Sequence, residues 1–187
     1  MARYFLVLVA FILSACATGE VISDHSTRSV VYGWVDIEDI SGNRMSNLVI
    51  RQYQPATEFA FHSVYFEKFA GGYIFSGNSF ANGAYKLETI VLQSCLGPIC
   101  TNTTNEYAFG RQGGGFGSVT IGAPGVHYLG SFKLTKGKSG FFGPGSFSFQ
   151  RASNAPSRKQ MLEFLTKNAV SEHAIYNQRI LNAYNAL

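Results

Sequence analysis

The run Ser-Val-Val-Tyr-Gly-Trp-Val-Asp-Ile at positions 29–37 constrains this chain more than any other stretch. It is dense in β-branched and aromatic residues, which favours a strand, and both of its alternating faces are largely apolar, which demands cover on two sides. Such a strand belongs in the centre of a sheet. The composition agrees: sixteen Phe, ten Tyr and twenty Gly point to strands and tight turns rather than a helical bundle, and the apolar content is too high for a disordered chain.

Strand and turn signals alternate downstream. After a turn at Ser41-Gly42-Asn43, positions 47–53 read as a second strand ended by Pro55, 59–66 as a third, and, past Gly71-Gly72, 73–75 as a short fourth. From Gly83 the alternation is cleanest, with Tyr85, Leu87, Thr89 and Val91 on one face and Ala84, Lys86 and Glu88 on the other. Positions 101–105 read as a polar loop, 106–109 as a strand and 110–117 as a glycine-rich hairpin tip. Val126, Tyr128, Phe132 and Leu134 share one face of the next strand, and 141–150 returns after a turn at 136–140. Beyond Arg151 the period becomes helical: Ser153 or Asn154 can cap, Pro156 suits a first turn, and Met161, Leu162, Phe164, Leu165 and Ala169 follow at helical spacing. A second helix is expected with Ser171 as N-cap, Glu172 in its first turn, and Tyr176, Ile180, Tyr184 and Leu187 as its apolar side. The expected fold is mainly β: an antiparallel β-sandwich over 29–151 with two C-terminal α-helices over 152–187 packed on it.

One positive charge at Arg3, an apolar run over 4–13 and small residues leading to Cys16 have the layout of a secretory signal. The run is roughly half the 20 or so residues that a membrane span needs. Leu13-Ser14-Ala15-Cys16 resembles the lipobox of the bacterial lipoproteins at all four positions. The resemblance implies removal of residues 1–15, a diacylglycerol on the Cys16 thiol and an acyl chain such as palmitate on its amine; the polar, aperiodic residues that follow read as a tether, so that 16–28 form the lipidated N-terminus and tether. Three chains at about 0.8 kcal/mol per buried methylene make attachment effectively permanent. Ala17 rather than Asp after the cysteine implies the outer membrane. Gly83-Ala84-Tyr85-Lys86-Leu87 is similar to the Gly-x-Tyr-x-Leu strand of transthyretin-like and carboxypeptidase-regulatory-like β-sandwich domains, which implies an architecture and no functional residue. With Cys16 assigned to lipid, Cys95 and Cys100 remain, framing the turn residues Gly97-Pro98, and an exported pair is free to oxidise to a disulfide. Half of a metal site would need further ligands nearby, and the sequence supplies none.

Asp36, Glu38 and Asp39 invite a calcium loop, but an EF-hand starting at Asp36 would place Ile40, Ser41 and Asn47 at its fifth, sixth and twelfth positions. They read instead as a solvated strand end. His25, His62, His127 and His173 have no short ligand spacing, so neither metal nor cofactor is expected. Neither Gly117-Ser118 nor Gly145-Ser146 makes the Gly-x-Ser-x-Gly turn of a serine hydrolase, and Thr120 stands where a dinucleotide fingerprint needs its third glycine. Tyr53, Tyr65, Tyr73, Tyr107, Phe116 and Tyr128 suit either a sugar-stacking platform or cross-strand packing, with packing favoured. Loss of Arg3 leaves fourteen basic against eleven acidic residues, too even a balance for nucleic acid. The expected function is a non-catalytic structural or interaction module of the cell envelope, held to the membrane by its lipid and meeting an envelope protein partner. The alternative is an envelope glycan- or peptidoglycan-binding domain or hydrolase using the tyrosines or acids such as Asp36 and Glu38.

Overall fold

The computed structural model of the chain describes residues 24–37, 43–55, 61–96, 99–108, 117–136 and 147–187. Among these, strands β1 (Ser29–Asp36), β4 (Tyr65–Phe69), β5 (Gly72–Phe80), β9 (Val126–Lys136) and β10 (Phe147–Arg151) form one sheet in the order β10-β9-β1-β5-β4. A second sheet runs β3-β2-β6-β7, from β2 (Asn43–Gln54), β3 (Phe61–Ser63), β6 (Gly83–Leu96) and β7 (Ile99–Ala108), with β8 (Ser118–Ile121) also paired to β6. Helices α1 (Arg158–Lys167) and α2 (Ala174–Asn185) close the chain.

The central strand is β1, and all of its residues are buried. Val31 and Val35 join Phe75, Phe132 and Leu134 of the first sheet against Leu48, Ile50, Leu87 and Ile90 of the second, so this core lies between the sheets. Val30, Tyr32 and Trp34, on the other face of β1, lie under Met161, Leu162, Leu165, Tyr176 and Ile180 of the helices. The result is three layers, helices over sheet over sheet, and each fully buried large side chain contributes about 1.5–3 kcal/mol of transfer free energy. The Trp34 indole in that second core donates Nε1 to the Phe69 carbonyl at 2.8 Å.

The first sheet is mixed, which corrects the expected antiparallel sandwich. β1 is antiparallel to β5 and parallel to β9. All five strands of the second sheet lie between β1 and β9 in sequence, a connection long enough for a parallel pair.

Two bulges redirect side chains that simple alternation had grouped. Val49 pairs Thr89 while Ile50 pairs Leu87, leaving Glu88 as an extra residue in β6. Tyr85 and Leu87 therefore point into the core with Ile90 and Leu92, whereas Thr89 and Val91 are half-buried and leave the face predicted for them. Arg51 Nη1 meets Glu88 Oε1 at 2.9 Å, and the buried Oε2 has no hydrogen-bond partner among the described residues. In β9 the partners step from Tyr32–Tyr128 to Gly33–Gly130, leaving Leu129 extra. Val126 and Tyr128 consequently face the helices, and Leu129, Phe132 and Leu134 face the inter-sheet core, so the four residues predicted on one face divide between two.

Other expectations shift too. The third strand divides at Val64 into β3 and β4, which belong to different sheets, and the short fourth strand extends to Phe80. Positions 101–105 are part of β7, which among the described residues stands at the sheet edge, where a polar sequence is suited. The N-cap of α1 is Ser157: its Oγ accepts from Gln160 N at 3.3 Å while Gln160 Oε1 accepts from Ser157 N at 2.9 Å, a capping box, and Pro156 precedes the cap. His173, not Ser171, occupies the N-cap of α2, and Leu187 is 54% exposed rather than packed. Residues 1–23, the turn at 41–42, the glycine-rich 110–116, the turn residues 137–140 and the stretch 141–146 lie outside the described residues.

Candidate functional site

Three segments distant in sequence converge where α2 meets the first sheet: the 3-10 turn His25–Thr27, the end of β5 and the start of α2. Asp24 caps the turn, and the hydrogen bonds it accepts from Ser26, one of them from the backbone N at 2.8 Å, hold its carboxyl below the usual range. Arg179 of α2 reaches back over the turn, donating Nη1 to the carbonyls of His25, at 3.2 Å, and Arg28, and Nη2 to that of Ser26. The His25 ring stacks on His173 with centroids 4.0 Å apart and planes 30° apart.

A line of hydrogen bonds leads from this clasp into the fold. His25 Nδ1 is 2.9 Å from Tyr176 Oη, which is 3.2 Å from Ser79 Oγ. Ser79 Oγ donates to Asn78 Oδ1 at 3.1 Å, and Asn78 Nδ2 donates to Ser171 Oγ at 2.9 Å. Ser79 is held at φ 70°, a left-handed conformation costing a non-glycine residue roughly 1–2 kcal/mol, and these contacts hold it there. Its neighbours are the Tyr176 phenol and the Asn78 amide, and its hydroxyl donates to the amide oxygen.

Beside the line runs a cleft lined by Val30, Tyr65, Ser76, Asn78, Val170 and Ser171. Hydroxyl and amide groups next to apolar walls can hold a small neutral ligand. Tyr65 is 40% exposed and donates its hydroxyl to the Glu67 carboxylate; desolvation and that carboxylate push the phenol up to about 12. A second cavity, of about 360 Å³, opens between β9 and the segment leading to α1, with Tyr128, Ser131, Arg151 and Ala155 in its wall. Nearby, Arg158 Nε donates to Tyr32 Oη at 3.3 Å, and its guanidinium lies 5.3 Å from the Tyr128 ring centroid. Burial raises the Tyr32 phenol pKa, and Arg158 opposes that rise.

The sequence candidates scatter. Asp36 is 1% exposed, not solvated: Asn154 Nδ2 donates to its Oδ2 at 3.2 Å and Lys133 Nζ lies 3.9 Å away, because parallel pairing sets Lys133 opposite it. Glu38 and Asp39 lie outside the described residues. Of the four histidines only His25 and His173 meet; His62 stacks on Phe80 at 4.3 Å and His127 Nε2 lies 3.1 Å from the Ala123 carbonyl. No three His, Cys, Asp or Glu residues gather for a metal among the described residues. Tyr73 is in the inter-sheet core, Tyr128 packs on Tyr32 and Tyr65 stands at the cleft, so these three form no common platform; Tyr53 is half-buried on β2. The side chains of Tyr107 and Phe116 lie outside the described residues, as does Cys16. Cys95 and Cys100 are register partners across β6 and β7.

Sequence reasoning missed the clasp, since no local pattern links a turn at position 25 to a helix at 173. No protein-family model and no curated protein matches the chain.

Proposed function

We propose that this protein is a lipid-anchored bacterial envelope lipoprotein whose folded part is a non-catalytic interaction module at the outer membrane. The observation that carries the reading is the lipobox Leu13-Ser14-Ala15-Cys16 behind a short apolar run. The register of Cys95 and Cys100 supports export: opposed residues of an antiparallel pair have Cα atoms about 4.5–5.5 Å apart, within disulfide range, and such a crosslink persists in an oxidising compartment. Between Cys16 and Asp24 the chain can extend by roughly 3.5 Å per residue, which would keep the Arg179 clasp within about 30 Å of the lipid. Mass spectrometry of the native protein, combined with fractionation, tests the reading. Cys16 should carry diacylglycerol and an acylated amine, the protein should sediment with membranes, and Cys16→Ser should remain an unlipidated precursor. Recovery of unmodified native protein from the aqueous fraction would overturn it.

One observation favours a second reading, a glycan-binding module: an exposed Tyr65 beside the neutral hydroxyl and amide groups of the cleft. Thermal-shift titration of the detergent-solubilised protein with muropeptides and oligosaccharides separates the two. Saturable stabilisation lost in both Tyr65→Ala and Asn78→Ala would support glycan binding.

A further inference from the structure

We infer that His25, His173 and Arg179 form an acid-sensitive clasp that holds the start of the folded domain on α2 at neutral pH and releases it on acidification. The clasp itself stands on geometry; only its consequence for reach from the membrane rests on the lipid anchorage proposed above.

With both imidazoles neutral, the stacked rings are a favourable contact, and the one guanidinium is satisfied by three backbone carbonyls. Imidazoles ordinarily gain their proton between pH 8 and 5. Two imidazolium rings 4.0 Å apart, beside Arg179, repel one another, and among the described residues the nearby acids are Asp24 and Glu172. On the turn itself, Asp24 is the acid and is engaged by Ser26, while Arg28 has interactions of its own. From α2 come Arg179 and Tyr176, with exposed Glu172 just before His173 in the chain. From β5 come the uncharged Ser79 and Asn78. Among the described residues Asp24 and Glu172 stand against Arg179, and two protonated histidines would tip this group positive.

Release would stop at β1. Gly125 N donates to Ser29 Oγ at 3.1 Å and Val30 N donates to the Gly125 carbonyl at 2.9 Å, so the first strand stays paired. Residues 24–28 would join the tether, adding up to about 17 Å of reach at about 3.5 Å per residue. A module held close to the membrane at neutral pH would then reach farther in acid.

Hydrogen–deuterium exchange on the native lipoprotein in detergent micelles, at pH 7.5 and 5.0 and corrected for intrinsic rates, tests the clasp. Exchange within 24–28 should rise at least tenfold at pH 5.0 while 30–36 stays protected. His173→Asn, which keeps a good N-cap and removes one ring, should abolish that rise, and Arg179→Gln should open the segment at both pH values. Equal protection of the native segment at both pH values, acid opening undiminished in His173→Asn, a segment still closed in Arg179→Gln, or acid exchange spreading equally into 30–36 would each overturn the proposal. The mass of the same sample reports Cys16 lipidation separately, so failure of the anchor is distinguishable from failure of the clasp.

Discussion

Gly33 occupies a crowded point of β1: a Cβ there would stand 2.5 Å from the Gly130 carbonyl oxygen and overlap the Phe75 ring. The bulge at Leu129 brings the Gly130 backbone this close, so Gly33→Ala should destabilise by about 1–3 kcal/mol. A lower urea midpoint at unchanged slope would show it. Nothing in the run at 29–37 marks that glycine as obligatory, because the constraint comes from a strand far along the chain. His62 yields a second prediction at this scale. Its ring is stacked on Phe80 and edge-on to Tyr85, and burial, then Arg28, lowers its pKa. The unfolded chain therefore binds the His62 proton more readily than the folded one. The stabilisation is fully present above about pH 6.5, the ordinary histidine value, and is lost as pH falls through the lowered folded value. The urea midpoint should drop between pH 7.5 and 5.5, and His62→Phe, which keeps the aromatic contact, should show a smaller drop; an equal drop would assign the effect to other groups.

At the scale of elements, legibility followed how local the determining interaction is. The start of β6 at Gly83 and the inward Tyr85 and Leu87 were readable because alternation is a property of adjacent residues. The loss of that alternation after Glu88 was not, since a bulge is defined by the partner strand. Ser157 as a cap was readable in principle, from Gln160 three residues on, but Pro156 drew the expected start upstream; Asn154 instead turns its amide to Asp36. β7 looked like a loop because its Thr and Asn residues carry no apolar alternation in the sequence, and at a sheet edge a strand does not need one. The Cys95–Cys100 pair at the closed end of β6 and β7 is a further element-scale test. Non-reducing digestion should yield one peptide bridging the two cysteines, and Cys100→Ser should lower stability by about 2 kcal/mol, the chain-entropy value for so short a loop. Two free thiols in the exported protein would remove the crosslink.

At the scale of the molecule, the two apolar faces of β1 announced cover on both sides, and the helices and the second sheet supply it. Parallel pairing with β9 left no local sign, yet it accords with that double cover, because parallel strands are found where both faces are buried. The helical pair is thus a third layer rather than an appendage. Ending the chain at Ala155 would strip Met161, Leu162, Leu165, Tyr176 and Ile180 from Val30, Tyr32, Trp34 and Ile74. At about 1.5–3 kcal/mol for each large side chain, the loss rivals the 5–15 kcal/mol that holds a typical domain folded. It would also remove Arg158 and Arg179, which bind Tyr32 and the N-terminal turn. The truncated chain should therefore bind a hydrophobic dye and lose its cooperative thermal transition. A cooperative melt at the full-length midpoint would mean instead that the two sheets are stable alone and that the outer face of β1 tolerates water.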